Sequence, residues 1–414
     1  MKPTAARPTS LVPRRSSGFT LTELIVAVAL VLVLLVGVAQ VFTYTTDTIS
    51  VGMALSDANR SQRAITPRLQ EDFRNLTPAN SPGLVIYCGS TVAYLDRAER
   101  DADATGTPTT PYRTDVMGFF TTGDFRRQTG NDGVTAGPTT ADQAWIWYGH
   151  LQLPGVGATF PNPGQGTPET NPNNYYATQW RLGRVAILLK NSAAIPAGQF
   201  HLTDSGTLDM KPLLAGTTDN RPASPNPPAP QQLTQSRFDL AGVQSAGADV
   251  FPRLSEKIAA NPVDWWLQLL GYRFEADPFP PRPLTSRGAA KTVPIFANNV
   301  TDFAVDFAVD LDTYDPVART VTPGTPDGAA DVRLIPNAAD PNRSAALRWF
   351  GVPRADAPEV ELYTGPGDRG NGFFAWRAAD AANWPKLIRV TIKQRDAAAR
   401  IEAKSVQYVL KVTP

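Results

Sequence analysis

The sequence predicts an α+β protein in which a long N-terminal helix, first transmembrane and then amphipathic, packs on an antiparallel β-sheet body with long loop insertions. Three observations carry this expectation. Residues 24–46 contain no charged side chain. Residues 65–76 place apolar side chains at helical spacing. From residue 83 onward, short β-branched or aromatic runs alternate with stretches rich in Pro, Gly and Asn.

The apolar run comes first. Between Glu23 and Asp47 a helix rising ~1.5 Å per residue reaches ~35 Å, enough to span a hydrocarbon core of ~30 Å. Leu24 to Val36 is Leu, Val, Ile and Ala throughout, so insertion is favourable residue by residue. A run this long without a polar face is unlike the amphipathic helices of soluble domains. Lys2, Arg7, Arg14 and Arg15 precede it with no acid among them, whereas Asp47, Asp57, Glu71 and Asp72 lie beyond. Positive charge stays cytoplasmic, which puts the N-terminus inside and exports the rest. A secretory signal is a competing reading, because Gly37-Val38-Ala39 offers a small-residue cut that would leave Gln40 as the new N-terminus of a secreted enzyme or glycan-binding protein. A third reading is a bitopic sensor that keeps Met1 and its anchor.

The residues around the start of the run are more specific. A basic leader ends in Gly18, followed by Phe19, Thr20, Leu21, Thr22 and Glu23 and then the apolar helix. This resembles the prepilin-type cleavage and methylation signal of type IV pilins and type II secretion pseudopilins. The resemblance implies a cut after Gly18 by prepilin peptidase, methylation of the new N-terminus at Phe19, and a role for Glu23 in assembly with other pilins or pseudopilins at the inner membrane. It also implies a division into a leader (1–18), a transmembrane helix (19–46), an amphipathic continuation (47–76) and a periplasmic β-rich body (77–414).

Composition fits an exported body behind one anchor. Hydrophobic residues make up 42% and charged residues 19%, and the net charge is +1, which indicates neither disorder nor a nucleic-acid partner. Cys88 is the one cysteine, so no intramolecular disulfide can form. With 38 Pro and 31 Gly, the chain is rich in turns and loops.

Past the membrane, Ile65, Leu69, Phe73 and Leu76 recur among Arg68, Gln70, Glu71, Asp72 and Arg74, so one helix face should pack on the body. Pro67 should kink the helix near residues 61–66, or restart it there with Thr66 as cap. Gly83 to Tyr87, Val116 to Thr121, Ala144 to Tyr148 and Arg184 to Leu189 read as strands. Trp145, Trp147 and Tyr148 could stack on sugars, but large strand aromatics more often fill a core. Pro154 to Pro172 and Arg221 to Pro230 read as loops, and the second suggests an internal boundary near 215–235. Phe251 to Gly271 reads as helical, with a start at Asn261-Pro262 and an apolar face of Trp265, Trp266, Leu269 and Leu270.

Val300 to Asp312 is the clearest strand. Phe303, Val305, Phe307, Val309 and Leu311 alternate with Asp302, Ala304, Asp306, Ala308, Asp310 and Asp312, which predicts one face toward the core and an acidic face toward water. The Asn299-Val300 pair leading to Asp310 and Asp312 is similar to a late segment of W-type minor pilins and J-type pseudopilins. Asp310, Asp312 and Asp315 are weak calcium candidates, since no EF-hand Gly or bidentate Glu follows and a solvated acidic face explains them as well. Leu387 to Lys393 and Val406 to Val412 alternate and should form a terminal antiparallel hairpin. Trp384-Pro385-Lys386 before this pair resembles the terminal strands of J-type subunits, and the large body is similar to that of protein C of the Verru_Chthon cassette.

Catalytic material is sparse. His150, His201 and Cys88 are the only His and Cys, which leaves little for a triad, a Cys-His pair or a zinc site. No Lys follows Gly as in a Walker A loop, and Gly155-Val156-Gly157 lacks the third glycine of a dinucleotide fingerprint. No cofactor is therefore expected, and the reading is of a structural subunit rather than an enzyme.

Overall fold

The computed structural model describes residues 20–79, 81–126, 140–155, 162–191, 193, 240–243, 245–260, 274, 295–309, 312–315, 320–323, 349–354, 357–363, 368–395 and 403–412. The chain divides into two compact units, residues 1–55 and 56–414.

Helix α1 runs from Leu21 to Arg74 as one element that passes through Pro67. The helix neither ends nor restarts at Thr66, contrary to one of the sequence expectations. Ile65 on one side of Pro67 and Leu69, Phe73 and Leu76 on the other are buried in the same core, and their packing outweighs the ~3 kcal/mol a proline costs inside a helix. The Thr66 hydroxyl donates to the Gln62 carbonyl at 3.0 Å.

Beyond α1 the chain forms β1 (Gly83–Tyr87), β2 (Ser90–Val92), α2 (Arg97–Ala102), β3 (Pro111–Arg113), β4 (Val116–Arg126), β5 (Thr140–His150), α3 (Pro172–Tyr175) and β6 (Arg181–Asn191). It continues with β7 (Leu240–Val243), α4 (Phe251–Ala260), β8 (Ile295–Asn298), β9 (Val300–Ala308), β10 (Asp312–Asp315), β11 (Thr320–Pro323), β12 (Trp349–Gly351) and β13 (Val360–Leu362). The last strands are β14 (Phe373–Arg377), β15 (Leu387–Gln394) and β16 (Lys404–Lys411). The expected strands form and most run longer than their apolar runs, but the one expected over Val300 to Asp312 ends at Ala308, and Asp312 begins β10. The helical stretch expected to Gly271 is seen from Phe251 to Ala260, and its remainder lies outside the described residues, as does the boundary near 215–235.

Among the described residues two large sheets build the body, with two-stranded pairs β2-β3 and β10-β11 beside them. The larger has the order β14-β1-β4-β5-β6-β7, with β8 also paired to β6, and the second has the order β13-β12-β9-β15-β16. Pairing is antiparallel except for β6 with β7 and β12 with β13. One face of the larger sheet meets α1 and the second sheet in the main core, and the other face carries α4. Both faces are therefore dry. That accounts for the unbroken Ala-Trp-Ile-Trp-Tyr run of β5: Ala144, Ile146 and Tyr148 enter the main core, while Trp145 and Trp147 enter the cluster under α4. The core reading of these aromatics holds over the sugar-stacking one.

The expected water-facing side of β9 is corrected. Ala304, Asp306 and Ala308 are buried along with Phe303, Val305 and Phe307. Trp349, Ala357 and Val360 cover that side next to Ala308, and Asp306 is held by two arginines, Arg354 at 2.5 and 2.9 Å and Arg389 at 2.9 and 3.0 Å. The signal lay in the pairing of two predicted strands: in the antiparallel register Arg389 of β15 faces Asp306 and Lys393 faces Asp302.

The chain passes from one sheet to the other through a single residue. β8 belongs to the larger sheet and β9 to the second, and Asn299 between them has φ 56°. Asn tolerates this left-handed conformation because its short polar side chain bonds locally, and a β-branched residue does not. Asn299→Gly is expected to leave stability within ~0.5 kcal/mol of wild type, and Asn299→Val to lower it by ~1 to 2 kcal/mol, as read by chemical denaturation.

Candidate processing and assembly segment

The segment begins at a reciprocal cap. The Glu23 backbone N–H donates to Thr20 Oγ1 at 3.3 Å, and Glu23 Oε2 accepts from the Thr20 backbone N–H and hydroxyl, each at 2.9 Å. The Leu24 N–H reaches the Thr20 carbonyl at 3.2 Å and starts the helical ladder. Thr-x-x-Glu before an apolar run is the capping-box pattern, and it satisfies donors that a helix start otherwise leaves orphaned. Glu23 thus has a partner within its own chain. A carboxylate offers about four lone-pair sites, so it retains capacity for a further cation.

Leu21 to Ser56 is apolar and long enough to cross a membrane, and its apolar side chains from Leu24 to Val36 are all exposed. The hydroxyls along the second half of this span are satisfied internally: Thr43, Thr45 and Thr48 donate to the carbonyls of Ala39, Val41 and Tyr44. Such back-bonding lets polar side chains sit beside lipid without an unmet donor.

Where α1 meets the body, a charge cluster that the sequence reading missed holds it. Asp72 is fully buried, and Arg184 of β6 grips it with Nε and Nη2, each at 2.6 Å. The Tyr148 hydroxyl of β5 donates to the same carboxylate. Burial pushes the Tyr148 phenol well above its ordinary range, and the Asp72 charge adds to this. Burial alone would lower Arg184, but the hydrogen bonds and charge of Asp72 more than offset it and hold the guanidinium above its ordinary range. The sequence pattern puts Asp72 with the polar face, and the structure buries it. It lies three residues after Leu69 and four before Leu76, on the buried stripe, and that spacing was the available signal.

The other sequence-derived residues are distributed as follows. Gly18 and Phe19 lie outside the described residues, as do Asp310 and His201. Asp312 and Asp315 fall on β10, which pairs with β11 rather than continuing β9. Among the described residues no group of three or more His, Cys, Asp and Glu is placed to hold a metal ion. His150 is buried, its Nε2 2.9 Å from the Val300 carbonyl and its ring against Trp180. Cys88 is free and buried, and burial pushes its thiol well up, away from the reactive thiolate.

The N-terminal segment matches a known family model, the prokaryotic N-terminal methylation motif, over residues 13–39. No curated protein and no solved structure matches the chain. The motif indicates a pilin-like protein that is processed by prepilin peptidase and anchored by its apolar helix.

Removing the carboxylate at the α1 anchor strands a buried guanidinium. Asp72→Ala is expected to destabilise the body by ~3 to 5 kcal/mol, and Tyr148→Phe by ~1 to 2 kcal/mol. Hydrogen exchange should show the loss for Asp72→Ala concentrated in residues 62–74. An unchanged denaturation midpoint for Asp72→Ala would contradict the anchoring role.

Proposed function

We propose that this chain is a minor pseudopilin or pilin-like structural subunit of a type II secretion or type IV pilus-like fibre, or of its tip. Prepilin peptidase cuts after Gly18, Phe19 becomes the methylated N-terminus, and the leader stays cytoplasmic while the body from residue 77 lies in the periplasm. The carrying observation is the methylation motif over residues 13–39, running without interruption into a capped helix whose apolar span reaches Ser56. The late strand β9 and the terminal hairpin of β15 and β16 agree with the likeness to J-type and W-type subunits, and this supports a minor rather than a major subunit. The motif suggests a structural role, and the burial of His150 and Cys88 agrees with it. Release by a cut after Ala39 is the weaker reading. The helix continues through Ala39 and Gln40, whereas a protease needs extended backbone at the bond it cuts.

Glu23 is assigned the assembly contact. A carboxylate near the membrane boundary is costly to bring toward lipid, so its presence calls for a partner beyond the cap. Cleavage creates one, a positive amine on Phe19, and in a bundle of staggered subunits the Glu23 of one chain meets the amine of the next.

Two outcomes test this reading. Gly18→Val, which blocks backbone access at the cut, should leave the leader attached, and a mature-sized product by mass spectrometry would contradict the cleavage site. Glu23→Leu should insert and be cleaved but fail to enter the fibre, so co-purification with partner subunits at the wild-type level would remove Glu23 from assembly. Glu23→Gln retains the cap's acceptor and loses the charge. It should assemble as poorly as Glu23→Leu if charge is what matters, and as well as wild type if only the cap does.

A further inference from the structure

Residues 90–113 and 162–180 form a lobe with a small core of its own: Ala93, Tyr112, Ala177 and Trp180, with the Tyr112 and Trp180 rings edge to face at 5.7 Å. The two segments are tied together by backbone bonds, Ala177 N–H to the Tyr94 carbonyl at 2.9 Å and Thr178 N–H to the Leu95 carbonyl at 3.0 Å. The Trp180 indole N–H locks the loop before it by donating to the Asn174 carbonyl at 2.6 Å. Asp96 caps α2, accepting from the Glu99 N–H at 2.9 Å. On this frame sits a cleft of 630 Å³ between α2 and the 168–179 segment. Its volume lies in the range of small-ligand sites, and the backbone of its walls is held by the bonds above while Arg97 and Glu169 stay exposed.

We infer that this cleft binds a neutral carbohydrate chain, because it sets the rings of Pro168 and Pro172, over the edge of the buried Tyr176, among the polar side chains of Arg97, Arg100, Glu169, Asn173 and Gln179. A pyranose has the same division, with apolar C–H faces that pack on rings and a rim of hydroxyls that each donate once and accept twice. Carboxylate, amide and guanidinium groups are the planar partners that serve such hydroxyls. Charge argues against an anionic ligand. Arg100 is 2.8 Å from Asp101 and 3.7 Å from Glu169, and Arg97 is 3.4 Å from Asp101, so both guanidiniums are already matched. The lining lacks the apolar character of sites for hydrophobic ligands. The site lies wholly within the body and does not depend on the processing or assembly assigned to the N-terminal segment.

The test is calorimetric titration of the full chain, held in a non-glycosidic detergent, with cellotetraose, chitotetraose, laminaritetraose and maltotetraose. An octaglutamate peptide serves as the acidic-partner probe. At least one tetrasaccharide should bind with a Kd of ~1 mM or tighter, with little change between low and high salt. Arg97→Ala and Gln179→Ala change side chains that are not buried. Each should weaken binding about tenfold at an unchanged melting temperature, and Lys190→Ala, outside the cleft, should have no effect. Three results would overturn the inference: no tetrasaccharide heat at ~10 mM ligand, binding that both cleft variants leave intact, or salt-sensitive binding of the octaglutamate peptide alone.

Discussion

A buried carboxylate on a helix must be met where it stands, and the body is built around meeting Asp72. Arg184 and Tyr148 come from neighbouring strands of the larger sheet and converge on the one carboxylate, so helix and sheet agree only at one rotation and one height of α1. Apolar packing by Ile65, Leu69 and Phe73 would tolerate a slide along the helix axis, because one apolar contact replaces another. A bidentate Arg–carboxylate pair does not, since its geometry is fixed by two parallel bonds. Lys404 adds a second tie from the far sheet, reaching Asn59 on α1 at 2.5 Å.

The same device recurs between the two sheets. Asp115, just before β4, accepts from Arg113 at 3.0 and 2.8 Å and from the N–H groups of Gly89 at 3.0 Å and Val305 at 2.7 Å. One carboxylate thereby joins the ends of β1 and β4 in the larger sheet to β9 of the second. Burial raises its pKa even against the Arg113 charge. Asp306 plays the matching part on the other side of β9, with Arg354 and Arg389 around it and Arg389 lying over the Trp349 ring at 4.6 Å. Buried ion pairs return little net stability, because desolvation cancels most of their attraction. Stability comes from the apolar clusters, and the carboxylates select one arrangement among those the clusters would accept. In a chain whose one cysteine is free and buried, no disulfide shares that task.

The two parts of the molecule therefore follow different rules. The N-terminal span satisfies its polar groups within its own helix, through the Thr20–Glu23 cap and the threonine back-bonds, as lipid requires. The body satisfies its polar groups across long sequence separations, as a doubly covered sheet requires. A change in the first part is felt locally along one helix. A change at Asp72 or Asp115 is felt by elements more than a hundred residues apart, and one at Asp306 by elements 48 and 83 residues along the chain.

The sequence by itself determined what depends on neighbours along the chain. The apolar span, the cap, the methylation motif, the packing face of α1 and the alternating strands are local patterns with periods of 3.6 and 2, and each appears where its pattern stands. The terminal hairpin was legible for the same reason, because its two strands are close in sequence. Only the tertiary structure decided which polar residues are inside. Asp72 and Asp306 read as solvent-facing because a charged residue in a periodic pattern normally marks the wet face, and here each meets an arginine brought from 112 or 83 residues away. The continuation through Pro67 has the same origin. Propensity asks for a break there, and the core that forms on both sides of it overrides the request.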